Sequence, residues 1–264
     1  MMLTQMVVAY ALMFQGAVAV DAGVVKPVVD AGVVLAVDAG VKKAELAPDV
    51  KLLVDRVQSF YEKTKDFTSD FKQDYFYKAF KRTQSSSGKV TFRKPQLPTP
   101  ALMRWEYEKP SPKTFVLAGD RVIAHDPEAK LVTTASISTN QLSASVTFLF
   151  GVGKLADEFS IVKKACPKCT GTQLEMTPLV PDTRFKRILL EVDEKTGLVM
   201  KSTVIDPDGS ENAITFLNLT TNVGVTEAAF KISPPPGTQV QDFRTGQQLT
   251  IPGKDAGVSL DAGK

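Results

Sequence analysis

The pair of residues best spaced for reactive chemistry is Cys166 and Cys169, in Cys166-Pro167-Lys168-Cys169. A CxxC at a helix N-terminus becomes a redox centre because the helix dipole lowers a thiol pKa. Here the motif lies in a Pro- and Gly-bearing loop between two strand-like runs, 160–164 and 172–176, with no helical pattern after it. A disulfide closing a hairpin in an oxidising compartment is therefore expected ahead of a redox enzyme. A structural zinc needs a second ligand pair, which the chain lacks. The single histidine, His125, leaves Ser-His-Asp and Cys-His machinery one candidate at most. It stands at a strand end before Asp126-Pro127 and reads as facing water or a neighbouring acid. There is no Gly-rich phosphate loop, HExxH or nucleophile elbow. Carboxylates fall in turns (Asp126, Asp182, Asp206, Asp208) or on polar strand faces (Asp70, Asp74), where solvation accounts for them and nothing supports a paired-acid glycosidase site. The expectation is a protein that is not an enzyme, with no metal and no cofactor.

Composition bounds the partners. The chain has 264 residues, a formal charge of +3, 43% hydrophobic and 23% charged residues. These fractions are ordinary for a globular protein, and the positive excess is too small to point to nucleic acid. The apolar run from Met6 to Phe14 leads into Ala17-Val18-Ala19, the small-residue spacing of a signal peptidase site, although no Lys or Arg precedes it. That run is far short of the ~20 residues that span a bilayer, so residues 1–19 are expected to be a cleaved signal peptide. No Cys stands near the cleavage point to be lipidated, and the mature protein is expected free in the periplasm, as a monomer.

Val-Asp-Ala-Gly repeats at 20–23, 29–32 and 37–40, and Asp-Ala-Gly returns at 255–257 and 261–263. Without aromatics or periodicity these stretches cannot bury a face. The expected organisation is a disordered linker over 20–46, a folded domain over 47–243 and a second disordered tail over 244–264.

Inside the domain, Val50, Leu53, Val54, Val57, Phe60 and Tyr61 recur at helical spacing behind Pro48 and Asp49. After Asp66 the period becomes two, and strand-like runs follow at 67–77, 88–93, 102–108, 114–117, 121–125, 131–134, 160–164, 172–176, 185–192, 199–205 and 212–218. Short turns such as Asp206-Pro207-Asp208-Gly209 join neighbours, which makes them antiparallel. The apolar, turn-free stretch 141–150 predicts one or two short helices inserted between strands. About ten or eleven twisted strands curl toward a barrel. The expected fold is mainly β with helices, a curled antiparallel sheet with an N-terminal helix and a mid-chain helical lid. Phe71, Phe92, Trp105, Tyr107, Phe115, Phe148, Phe150 and Phe185 then either fill an ordinary core or line a ligand cavity.

The order of motifs adds to this. Phe71-Lys72-Gln73, the Gly88 strand running to Arg93, Lys94 and Pro95, Met103-Arg104-Trp105-Glu106-Tyr107 with Pro110, Gly119 with Asp126-Pro127, Leu174 to Pro178, Asp208-Gly209 before Ile214-Thr215-Phe216, and Phe230 with Pro235-Pro236-Gly237 follow one another over 46–243. In this order they resemble the periplasmic outer-membrane lipoprotein carrier family. The resemblance implies an unclosed antiparallel β-barrel capped by helices, a half-barrel chaperone whose apolar cavity takes lipoprotein acyl chains. Its implied partners are acylated lipoproteins, an inner-membrane ABC-type lipoprotein release complex and an outer-membrane lipoprotein receptor.

The resemblance also implies a basic latch residue that hydrogen-bonds the helical lid. Register from Gly88 places it at Lys94 or Arg93, and counting back from Trp105 places it at Thr99, the difference arising from the extra residues 96–100. Ile123 and His125 stand where the family tends to have aromatics, and Ala118 where Asp is usual. The rival readings are a lipid-sensing or regulatory half-barrel, and a paralogue with a different lipid cargo.

Overall fold

The computed structural model describes residues 45–136 and 154–251. The expected signal peptide, most of the linker and the predicted mid-chain helical lid with Phe148 and Phe150 lie outside the described residues.

Helix α1 runs Pro48–Lys63, with proline in its first turn, Asp49 near its N-terminus and Lys63 in its last turn, so charge complements the helix dipole at both ends. Lys51 and Asp55 pair one turn apart at 2.5 Å. Thr64 ends the helix in an extended conformation, its backbone N–H and its hydroxyl both donating to the Phe60 carbonyl. Val50, Leu53, Val54, Val57 and Tyr61 form the buried stripe.

The strands are β1 (Asp66–Tyr77), β2 (Arg82–Arg93), β3 (Leu102–Lys109), β4 (Lys113–Ala118), β5 (Arg121–Asp126), β6 (Leu131–Ser136), β7 (Phe159–Lys164), β8 (Thr172–Pro178), β9 (Arg187–Val192), β10 (Val199–Ile205), β11 (Glu211–Thr221), β12 (Gln239–Asp242) and β13 (Gln247–Thr250). A four-residue helix α2, Leu155–Glu158, precedes β7, and a 3-10 turn, Glu227–Phe230, lies between β11 and β12. All strands belong to one 13-stranded unclosed sheet, ordered β13-β12-β6-β5-β4-β3-β2-β1-β11-β10-β9-β8-β7.

Three expectations need correcting. The strand number is 13, not ten or eleven. The added strands are β12 and β13, too short and polar to show a period, and they carry the fold past 243 into the stretch read as a tail, where Ile251 is buried. The strands also form two meanders, β1–β6 and β7–β11, joined along the antiparallel β1/β11 pair from Phe67↔Thr221 to Phe76↔Glu211. The third departure is that β12 lies parallel to β6, Val240 against Val132. No hairpin dictates that direction, because the chain reaches β12 through residues 222–238, a connection long enough for a crossover.

Both faces of the sheet are used. Alternate residues of β1–β5 and β7–β11 gather with the α1 stripe into one core on the inner face. On the outer face, Leu102, Val116, Ala118, Ile123 and Val132 form a second core, covered by Phe230, Ile232, Val240 and Ile251 of the C-terminal segment. Phe115, Val116, Leu117 and Ala118 are therefore all buried in succession, the pattern of a strand covered on both sides.

Candidate ligand-binding face

Six of the eight aromatic site residues expected from sequence are described, and all six join the inner core: Phe71, Phe92, Trp105, Tyr107, Phe115 and Phe185. Strand parity explains it. Trp105 sits opposite Val90 and Phe115, and Tyr107 opposite Gly88, which in turn faces Phe71. Phe71 meets Trp105 edge-on at 4.9 Å and Tyr107 at 5.1 Å between ring centroids, and Tyr107 meets Phe115 at 5.7 Å. Phe185 precedes β9 and pairs with Phe159 at 6.3 Å. Phe67, 5.2 Å from Phe92, belongs to the same face and is a site residue beyond those expected, although it shares the alternating phase of Phe71. So does Phe216, the register partner of Phe71.

This face is covered by α1 in the structure, and the ties that hold the helix there are polar. Near its N-terminus Asp49 pairs with Lys163 of β7 at 3.1 Å. Midway, Arg56 donates to the Glu194 carbonyl in the β9–β10 turn. Gly197 in that turn has φ +81°, and a Cβ there would stand 2.5 Å from the Arg56 carbonyl oxygen, so the helix backbone rests directly on the glycine. Near the C-terminus the Val199 N–H donates to the Tyr61 hydroxyl at 3.3 Å, and burial pushes the Tyr61 pKa upward.

The latch candidates separate by face. Lys94 Nζ donates to the Glu62 carbonyl at 2.8 Å, in the last turn of α1, and burial draws its pKa down while the Glu62 charge opposes that shift. Arg93 points to the outer face, 3.2 Å from Glu227, and Thr99 donates to the same carboxylate at 2.8 Å. Of the three, Lys94 alone reaches a helix that covers the inner face.

The other singled-out residues lie apart from this site. Ile123 and Ala118 belong to the outer core. His125 lies on the outer side of β5, between Thr114 and Val132. Its ring Nε2 is buried without a hydrogen-bond partner among the described residues, and burial lowers its pKa. Cys166 and Cys169 are disulfide-bonded in the β7–β8 loop, with Cα atoms 5.3 Å apart.

The sequence reading missed a polar network inside the apolar face. The Tyr107 hydroxyl donates to Gln73 Oε1 at 3.0 Å, and Gln73 Nε2 donates to Asn212 Oδ1 at 2.9 Å. Gln73 shows in the sequence through the alternating phase of Phe71 and through Phe71-Lys72-Gln73; its partners are distant in sequence and carry no local signal.

An unclosed sheet with an amphipathic helix over its apolar face is a scaffold for enclosing apolar ligands. The sequence profile described as outer membrane lipoprotein carrier protein LolA matches residues 62–233, and the chain belongs to this family. It is 27% identical over 188 residues to the outer-membrane lipoprotein carrier protein of Dechloromonas aromatica, covering 71% of this chain and 86% of that protein. It is 24% identical over 193 residues to the protein of the same name from Pseudomonas aeruginosa, covering 73% and 88%. Among solved structures, a LolA superfamily protein from Nitrosomonas europaea aligns with a TM-score of 0.37 at 7% identity, over 70% of this chain and 98% of that one. MucB aligns with a TM-score of 0.43 at 16% identity, over 72% and 70%.

Proposed function

We propose that this protein is a periplasmic chaperone that shelters the acyl chains of lipoproteins against its inner face and carries them from the inner to the outer membrane, without catalysis. The observation that carries this reading is the continuous aromatic and aliphatic face spanning both meanders, covered by the amphipathic helix α1, whose ties to the sheet are polar and, apart from the Tyr61 hydroxyl, lie outside its apolar stripe.

Magnitudes favour exchange between helix and ligand. Burying a Val or Leu side chain is worth about 1.5–3 kcal/mol and a methylene about 0.8 kcal/mol. The contact made by Val50, Leu53, Val54 and Val57 is thus matched by roughly ten methylenes, fewer than one long acyl chain supplies. A ligand with two or three chains therefore displaces the helix even when its chains are only partly buried, and partial burial suits a carrier that must release as well as retain. In this reading Lys94 is the latch, holding α1 down when the face is empty. Cargo arrives from an ABC-type release complex in the inner membrane and leaves to an outer-membrane receptor.

The test is native mass spectrometry of the protein recovered from periplasm, followed by uptake of a labelled lipoprotein. Acylated cargo on the recovered protein, or its capture in vitro, is expected. A protein that is recovered empty and takes up none contradicts the reading.

A further inference from the structure

The inner face is not uniformly apolar. Strands β3, β1, β11 and β10 each place polar atoms on it. Tyr107, Gln73 and Asn212 form the hydrogen-bonded run described above, and Tyr107 reaches Gln73 across β2 because its register partner there, Gly88, has no side chain. Ser202 continues the row, being the register partner of Ile214, which is itself opposite Gln73. At the other end Trp105 precedes Tyr107 by two residues on the same side of β3.

The ends of this belt are unusual. Trp105 is 2% exposed and Ser202 1% exposed. The indole Nε1 and the serine Oγ have no hydrogen-bond partner among the described residues. A buried donor left unsatisfied costs about 1–3 kcal/mol, which a face serving only as core avoids by carrying Phe and Ala at these positions. Both groups donate, and no Lys or Arg belongs to the belt. The matching ligand group is thus a neutral acceptor; a free carboxylate buried here would lack a cation.

We propose that Trp105, Tyr107, Gln73, Asn212 and Ser202 form a carbonyl-binding belt, which takes the ester or amide oxygens at the head of acyl chains while the chains lie on the aromatic residues beside it. The inference rests on the carrier reading and narrows it: the ligand class is acyl-linked lipid, discriminated from ether-linked alkyl chains and from free fatty acids. Diacyl lipopeptides and diester phospholipids share this chemistry.

The test uses the full-length protein and three fluorescent probes of equal chain length: a diacyl lipopeptide, a diester phospholipid and its diether counterpart. Ser202→Ala is the informative variant, since removing a hydroxyl with no partner among the described residues leaves the fold intact. Expected is a three- to tenfold loss of affinity for the ester probes, the range for about one hydrogen bond, with diether affinity unchanged. Trp105→Phe, which keeps an aromatic ring, shows the same selective loss. Tighter binding of the lipopeptide or of the phospholipid identifies which source the belt serves. Equal affinity of the wild-type protein for ester and ether probes overturns the belt but leaves the carrier reading standing. No binding of any probe overturns both.

Discussion

Lys94 Nζ and the Glu62 carbonyl oxygen lie 2.8 Å apart, joining the residue after β2 to the last turn of α1. Its neighbour Arg93 binds Glu227 on the opposite face. Lys94→Met is therefore expected to loosen α1 by about 1 kcal/mol, the worth of one hydrogen bond to a carbonyl, while Arg93→Met loosens the C-terminal segment instead. Hydrogen exchange separates the two: faster exchange in 48–63 for the first, and in 223–232 for the second. If the Lys94 variant leaves α1 exchange unchanged, the latch lies elsewhere.

Gly88 provides a second test. A Cβ on this residue would lie 1.8 Å from the Glu106 carbonyl oxygen, a backbone atom that cannot swing aside. Gly88→Ala is expected to destabilise the domain by about 2–3 kcal/mol, in the range of overpacked cores, and to disturb the Tyr107–Gln73 contact. Urea denaturation measures the first effect. A variant as stable as the parent shows that the β2–β3 pair, whose register shifts between Ser87 and Gly88, relaxes at little cost.

The inner face was legible because each strand writes it in alternate residues: Phe67, Phe71 and Gln73 on β1, or Trp105 and Tyr107 on β3, announce themselves by period. The outer core was not, since its two halves speak different languages. Val116, Ala118 and Ile123 are hidden within apolar runs, and their cover, Phe230, Ile232 and Val240, comes from a segment with turn residues and no period. The signal available was Phe115-Val116-Leu117-Ala118, an unbroken apolar run that a one-sided strand does not need. The polar belt was invisible for another reason: Tyr107, Gln73 and Asn212 meet only through register across strands far apart in sequence.

The covering role of the C-terminal segment predicts a distinct phenotype. Phe230 is 2% exposed in the outer core, and the Arg104 guanidinium donates to the Lys231 carbonyl at 2.8 Å. Phe230→Ala is expected to cost about 3–5 kcal/mol. Limited proteolysis then cuts first within 222–251. Cleavage within α1 instead would mean that the two cores unfold as one.

The Cys166–Cys169 disulfide closes a very short loop, so chain-entropy arguments give it about 2 kcal/mol at most. The Cys166→Ser, Cys169→Ser double variant is expected to melt slightly earlier and to bind lipid probes as before. Loss of a measured thiol-exchange activity in that variant would revive the redox reading.

His125 makes stability depend on pH in mild acid. Burial lowers its pKa from the ordinary 6.5, with Arg104 adding to the shift and Asp126 opposing it. The unfolded chain therefore binds the proton first, and stability must fall as pH drops below 6.5, the penalty being complete once pH passes the folded value. The carboxylates held low by their hydrogen bonds, Asp182 by Arg184 and Asp74 by Ser85, lose their contribution only in stronger acid, as pH falls from their ordinary 3.8. With one histidine in the chain, the difference between the parent and His125→Gln isolates the effect. The parent's melting temperature is expected to decline between pH 7 and pH 5 relative to the variant's, and the histidine ring resonances to titrate below 6.5. Parallel melting curves for the two proteins, with the ring titrating at its ordinary value, would show that the outer core admits the charged imidazole freely and that the C-terminal cover yields there.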